Sequence, residues 1–120
     1  MKHQKKGRKF GRVKKQRESL LSILLGQLIL YEKIKTTQAK AKEIKGEIDI
    51  LINRAKKGKS ANEKISVTRY LKSNISAMAV DKLQGDFLER FSKRTSGYTR
   101  IVKLSPRQSD GARIAIIEFV

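Results

Sequence analysis

The chain of 120 residues contains no cysteine, which excludes a disulfide framework, a thiolate metal site and a cysteine nucleophile. Its one histidine, His3, cannot by itself build a His-based metal cluster or a Ser-His-Asp arrangement with an ordered base. One proline, no tryptophan, three tyrosines and four phenylalanines argue against a Pro-rich linker or a large aromatic pocket. Acid is scarce too. Only 11 Asp+Glu stand against 29 Lys+Arg, a formal net charge of +18. A surplus of that size repels itself in a compact state and persists where a polyanion neutralises it. The length suits one domain. A hydrophobic content of 38% supports a packed core rather than wholesale disorder. What remains is a small nucleic-acid-binding protein.

The charge is uneven. Met1 to Arg17 carries nine cations (Lys2, Lys5, Lys6, Arg8, Lys9, Arg12, Lys14, Lys15 and Arg17), together with His3 and no acid. With so few apolar groups this stretch cannot offset its own ordering entropy, so it is expected to be unordered when free. On a polyanion such an arm folds onto phosphates and releases their condensed counterions. The plainer alternative is a solvated tail. The apolar run Leu20–Leu30 resembles a signal segment, yet Glu18 and Gln27 intrude and no small-residue cleavage site follows. At about eleven residues it is too short to span a bilayer. The expectation is a soluble, cytoplasmic protein with an arm over 1–17 and one domain over 18–120.

Leucine and isoleucine cover most of a helix circumference over 18–31, predicting a helix buried on several sides at the centre of the core. Gly26 within it suits close approach of a neighbour. Ile34–Thr36 is β-leaning, and Thr37 suits the N-cap of a second helix carrying Ala41, Ile44, Ile48, Leu51, Ile52 and Ala55 inward. Lys56-Lys57-Gly58 would end it on cations and a left-handed glycine. Ser60 to Glu63 reads as a capping box for a third helix with Ile65, Thr68 and Leu71 inward. A fourth starts near Ile75 or Ser76 and breaks at Gly85-Asp86, before a turn that packs Phe87, Leu88 and Phe91. Tyr98–Leu104 and Arg113–Val120 form a β-hairpin, with Ile34–Thr36 as a possible third strand. The fold class expected is α+β in two layers, about four helices on a small, two- to three-stranded mixed sheet, with a basic N-terminal extension.

No convergent acid, base or nucleophile is visible, so no catalytic residue is assigned. Nor does any glycine-rich nucleotide loop or metal-ligand spacing occur, so no metal or other cofactor and no small-molecule substrate are expected. Binding features are better developed. Thr36 and Thr37, with Lys40 beside them, stand where helix amides hold a phosphate. Plain capping explains Thr37 equally well. Arg94, Arg100 and Arg107 belong to a second basic cluster around the hairpin, and Arg100 and Lys103 point to opposite strand faces. Tyr98, beside Gly97, suits either stacking on an unpaired base or a place in the core.

Over essentially its full length the sequence resembles the bacterial large-subunit ribosomal protein L-seventeen family. The matching pieces are Gly7-Arg8-Lys9 and Gly11-Arg12 in the arm, Arg17 before the leucine-rich helix, the string TTQAKAKE from Thr36, Ala55–Gly58, the string GYTRIVKL from Gly97, and the closing Ala115–Val120. Gln16, Ser22-Ile23, Tyr31, Glu89, Ser96 and Ser109 depart from the usual pattern. The resemblance implies a structural, non-enzymatic component of the 50S subunit that binds 23S rRNA near the outer end of the peptide exit tunnel. It also implies other large-subunit ribosomal proteins as partners and no membrane. RNA-contact positions carried over are the arm cations through Arg17, Thr36-Thr37 with Lys40, and Tyr98 with Arg100. The alternative from charge alone is a DNA-binding architectural protein, but no helix-turn-helix or minor-groove wedge is evident.

Overall fold

A computed structural model of the chain describes residues 13–59 and 62–120. The elements are α1 (Lys14–Tyr31), β1 (Lys33–Thr37), α2 (Gln38–Lys57), α3 (Lys64–Asn74), α4 (Ala77–Leu83), a 3₁₀ turn (Asp86–Phe91), β2 (Thr99–Lys103) and β3 (Ile114–Phe119). The α+β class is as expected. The strands run in the spatial order β1-β3-β2 with both pairings antiparallel, which corrects the mixed sheet. Ile34 and Ile101 flank Ile117 across the central strand, and Ala115, Ile117 and Phe119 turn together towards the helices.

Helix α1 begins at Lys14 rather than Glu18, because Lys14–Arg17 are good helix formers that simply extend the apolar segment. The unordered stretch expected through Arg17 is corrected there; the arm residues up to Arg12 lie outside the described residues. The helix is also less enclosed than its composition implied. Leu25, Gly26, Leu28 and Ile29 are buried, whereas Ile23 is 59% exposed. A methyl group on Gly26 would sit 3.8 Å from Ser76 Oγ and 4.0 Å from Ala79 Cβ, ordinary contact distances, so glycine is not required for that packing.

The centre of the core is α2. All six of its predicted inward side chains are buried, and it packs against α1, α3, the 3₁₀ turn and all three strands. Thr37 caps it, its Oγ1 accepting from Lys40 N at 3.4 Å. At the other end Gly58 is right-handed (φ −72°), not left-handed. Its need for glycine is steric: a Cβ there would lie 2.9 Å from Val67 Cγ1 on α3. That helix starts only at Lys64, with Glu63 making no side-chain cap, and Ser60 of the expected capping box lies outside the described residues. Val67 and Leu71 are its buried residues and Thr68 is half-buried; Leu71 is inward as expected, while Ile65, 69% exposed, is not. The face turned inward is the one that carries Val67 and Leu71 at i, i+4, and Ile65 lies off it.

Helix α4 starts at Ala77, just past the expected Ile75 or Ser76, with the Ser76 side chain as its cap, and the 3₁₀ turn brings Phe87, Leu88 and Phe91 inward. Phe87 meets Phe119 edge-on at 5.0 Å and Phe91 meets Tyr98 at 5.4 Å, the geometry ring quadrupoles favour.

Chain reversal after α1 depends on Glu32, which adopts φ 65° and donates its amide to Leu28 O at 2.7 Å. Its carboxylate accepts from Lys82 Nζ at 3.0 Å and from Arg90, tying α1 to α4 and the 3₁₀ turn. The Lys82 hydrogen bond first, then that from Arg90, holds the carboxyl below its ordinary 4.5. A lowered folded-state value means stability present above that pH and lost as pH falls through the folded value. The side chain is 42% exposed, so the contribution is at most about 1 kcal/mol. In urea unfolding, Glu32→Gln should trail the parent by a constant margin from neutrality down to pH 4.5, and the margin should close below it. A margin unchanged at pH 3 would contradict the pairing.

Candidate nucleic-acid interface

The predicted contact residues fall into three groups. Lys14, Lys15 and Arg17 form the first turn of α1, with both lysines exposed and Arg17 half-buried. Thr36, Thr37 and Lys40 join β1 to α2 and are half-buried. Arg94, Tyr98, Arg100 and Arg107 follow the 3₁₀ turn into the hairpin. Lys2, His3, Lys5, Lys6, Arg8, Lys9 and Arg12 lie outside the described residues.

At the start of α2 the polar groups serve the fold first. The Thr37 hydroxyl is occupied by the Lys40 amide, and Gln38 N donates to Arg113 O at 2.8 Å. Thr37, Gln38, Lys42 and Arg113 still line a shallow depression of about 270 Å³ with cations on its rim. Around the hairpin several cations are spoken for. Arg100 Nη2 lies 2.6 Å from Glu118 across the strands. Arg107 binds Asp110 through Nε at 3.0 Å and Nη2 at 2.8 Å, a bidentate pair that closes the turn. Arg107 N also donates to Ala112 O, and Gly111 supplies the positive φ of 69° there. Arg100 and Lys103 do sit on opposite faces, and both are exposed.

Tyr98 takes the core alternative. It is completely buried, so its ring is not available to stack on a base, which corrects its place among the RNA contacts. The hydroxyl donates to Asn53 Oδ1 at 2.6 Å and receives Lys56 Nζ at 2.8 Å. Lys56 also donates to the Arg94 carbonyl and lies over the Tyr98 ring at 4.7 Å. Asn53 Nδ2 reaches Thr95 O at 3.3 Å, and Asp49 accepts from the Gly97 and Tyr98 amides at 3.3 and 3.4 Å. Three polar residues of α2 therefore hold the segment Ser92–Gly97. Sequence reading passed over them. The available signal was the spacing of Asp49, Asn53 and Lys56 at i, i+4 and i+7, one line along a helix whose adjoining face is apolar.

Among the described residues no group of three or more His, Asp or Glu is placed to hold a metal. A depression of about 620 Å³ is lined by Lys35, Leu104, Ser105, Pro106, Arg107 and Ile114, with no carboxylate to act as a base. No helix among the described residues is long and apolar enough to cross a membrane.

Comparison with known proteins gives a consistent result. The family described as Ribosomal protein L17 matches residues 20–120. The large ribosomal subunit protein bL17 of Salinibacter ruber is 44% identical over 120 residues, all of this chain but 59% of that protein, so this chain is well short of that relative's length. The bL17 protein of Rubrobacter xylanophilus is 43% identical over 120 residues, covering 100% of this chain and 96% of its own. That of Shouchella clausii is 40% identical over 117 residues, covering 93% and 97%.

The hairpin tip offers a direct readout of the surface charge. Hydrogen bonding from Arg107, then from the Ala112 amide, draws the Asp110 carboxyl down to about 2. Arg107→Ala should raise its titration midpoint, followed by side-chain NMR, part of the way back to the ordinary 3.8, because the Ala112 amide remains. A midpoint unmoved by the substitution would show that the pair does not form in solution.

Proposed function

The chain belongs to the Ribosomal protein L17 family, and from that premise we propose that it is a structural constituent of the large ribosomal subunit that binds 23S rRNA. The family is one of ribosomal structural proteins, not of enzymes. The observation that carries the rRNA assignment is the charge left on the folded part. Six of the 29 cations occupy residues 1–12, so 23 Lys/Arg still stand against all 11 acids in the remainder. Four of those acids, Glu32, Glu89, Asp110 and Glu118, are engaged with cations inside the fold. The surplus has no partner of its own size within the chain.

In this reading residues 1–17 anchor the protein and 18–120 form one domain. Lys14, Lys15 and Arg17 carry the anchor's charge onto α1, where the helix sets their spacing. Lys40 and Arg94 extend the contact surface. Arg100 and Arg107 join it only where a phosphate displaces Glu118 or Asp110. Such contacts fix position and orientation rather than read sequence. Neighbouring large-subunit proteins complete the surroundings, near the outer end of the exit tunnel and in the bacterial cytoplasm. No cofactor enters the reading.

If six to ten phosphates are engaged, affinity for 23S rRNA should fall about 10³–10⁵-fold between 50 and 200 mM salt. Removing residues 1–12, which precede α1, should leave cooperative unfolding intact. It should also lower the slope of log affinity against log salt by about four to five. A salt-insensitive complex would overturn the reading.

A further inference from the structure

We propose that the segment Ser92–Gly97 is a pre-positioned phosphate-backbone contact, and that Tyr98, Asn53, Lys56 and Asp49 are the residues that position it. The proposal rests on the rRNA reading above and adds a second contact to it, separate from the arm. Lys93, Arg94, Thr95 and Ser96 are all exposed. Neither Lys93 nor Arg94 takes part in the ion pairs that bind Lys59 to Glu89, Arg100 to Glu118 or Arg107 to Asp110. Two cations and two hydroxyls in four consecutive residues match the donors a phosphodiester backbone requires.

What distinguishes this segment from an ordinary basic loop is how it is held. Its carbonyls at Arg94 and Thr95 accept from Lys56 and Asn53, and the amides at Gly97 and Tyr98 donate to Asp49. The buried Tyr98 hydroxyl donates to Asn53 and accepts from Lys56, so it joins the two side chains, and its oxygen lies 3.1 Å from Arg94 O. These bonds use the backbone and leave the Lys93 and Arg94 side chains outward. A loop already ordered does not lose its conformational entropy on binding, so the cations are retained at lower cost to affinity. Lys42 and Lys45 are exposed on the same line of α2, at i−7 and i−4 from Asp49, and continue the cationic surface towards the start of the helix.

A protein partner fits less well. The segment exposes no large apolar side chain; among the described residues such side chains lie outside it, the most exposed being Val13, Ile23, Tyr31, Ile65 and Met78. Protein interfaces are anchored by buried apolar and aromatic groups and depleted in lysine.

The full chain, titrated with a 23S rRNA transcript across 50–200 mM salt, tests the proposal. Lys93→Ala with Arg94→Ala should lower the log–log slope by about 1.4–1.8, so the loss of affinity over that range shrinks about seven- to twelvefold. Tyr98→Phe keeps the ring in its packing and removes only the hydroxyl. It should weaken binding severalfold in the parent and have no further effect once Lys93 and Arg94 are gone. A merely structural tyrosine would cost the same in both backgrounds, and that result would overturn the positioning role. An unchanged slope in the double variant, beside a steep parent, would overturn the contact and leave the rRNA reading intact. So would retained RNA affinity with lost incorporation into the subunit, which would mark a protein contact. A parent that binds without salt dependence would remove both readings together.

Discussion

One stripe of six apolar side chains on α2 holds the molecule together. Ala41, Ile44, Ile48, Leu51, Ile52 and Ala55 are at most 3% exposed, and each other layer of the fold rests on some part of that line. Burial of this kind contributes about 1.5–3 kcal/mol for each large side chain, more than any exposed ion pair in the chain can supply. It must also offset the repulsion among cations on the outside of a compact body. The neighbouring line of the same helix has a different task. Asp49, Asn53 and Lys56 bond the segment ahead of β2, so one helix both carries the core and fixes a basic surface.

The acids are placed where they close the fold. Glu32 joins three elements, Glu118 spans two strands through Arg100, and Asp110 closes the hairpin turn. Used this way they neutralise cations that shape the fold and leave others, such as Lys93 and Arg94, facing outward. The cations of the described residues therefore include some paired within the fold and others that face solvent. That difference separates Arg94 from Arg100 and Arg107, which a count of charges treats alike.

Much of this was legible in the residues. The period of α2, the Thr37 cap, the start of α4 near Ser76, the aromatic turn after Gly85 and the β-branched hairpin all follow from local chemistry and are present as expected. The misreadings have a common cause, since each depended on a neighbour distant in sequence. Gly58 is glycine because of Val67, not because of its own φ. Ile65 faces outward because α3 packs on α2 and α4 through Val67 and Leu71. Leucine content made α1 look central, but a helix at the edge of the layer buries only one side. Tyr98 stood open between two roles because its fate rests on Asn53 and Lys56, more than forty residues away.

In the proposed function the folded domain, and not the arm alone, meets rRNA. Photochemical RNA–protein cross-linking on assembled large subunits carrying the full chain, read by mass spectrometry, addresses it most directly. Nucleotide adducts in the peptide bearing Lys93 to Gly97, in addition to those in the arm, are the predicted result. Adducts confined to residues 1–17 would contradict the account.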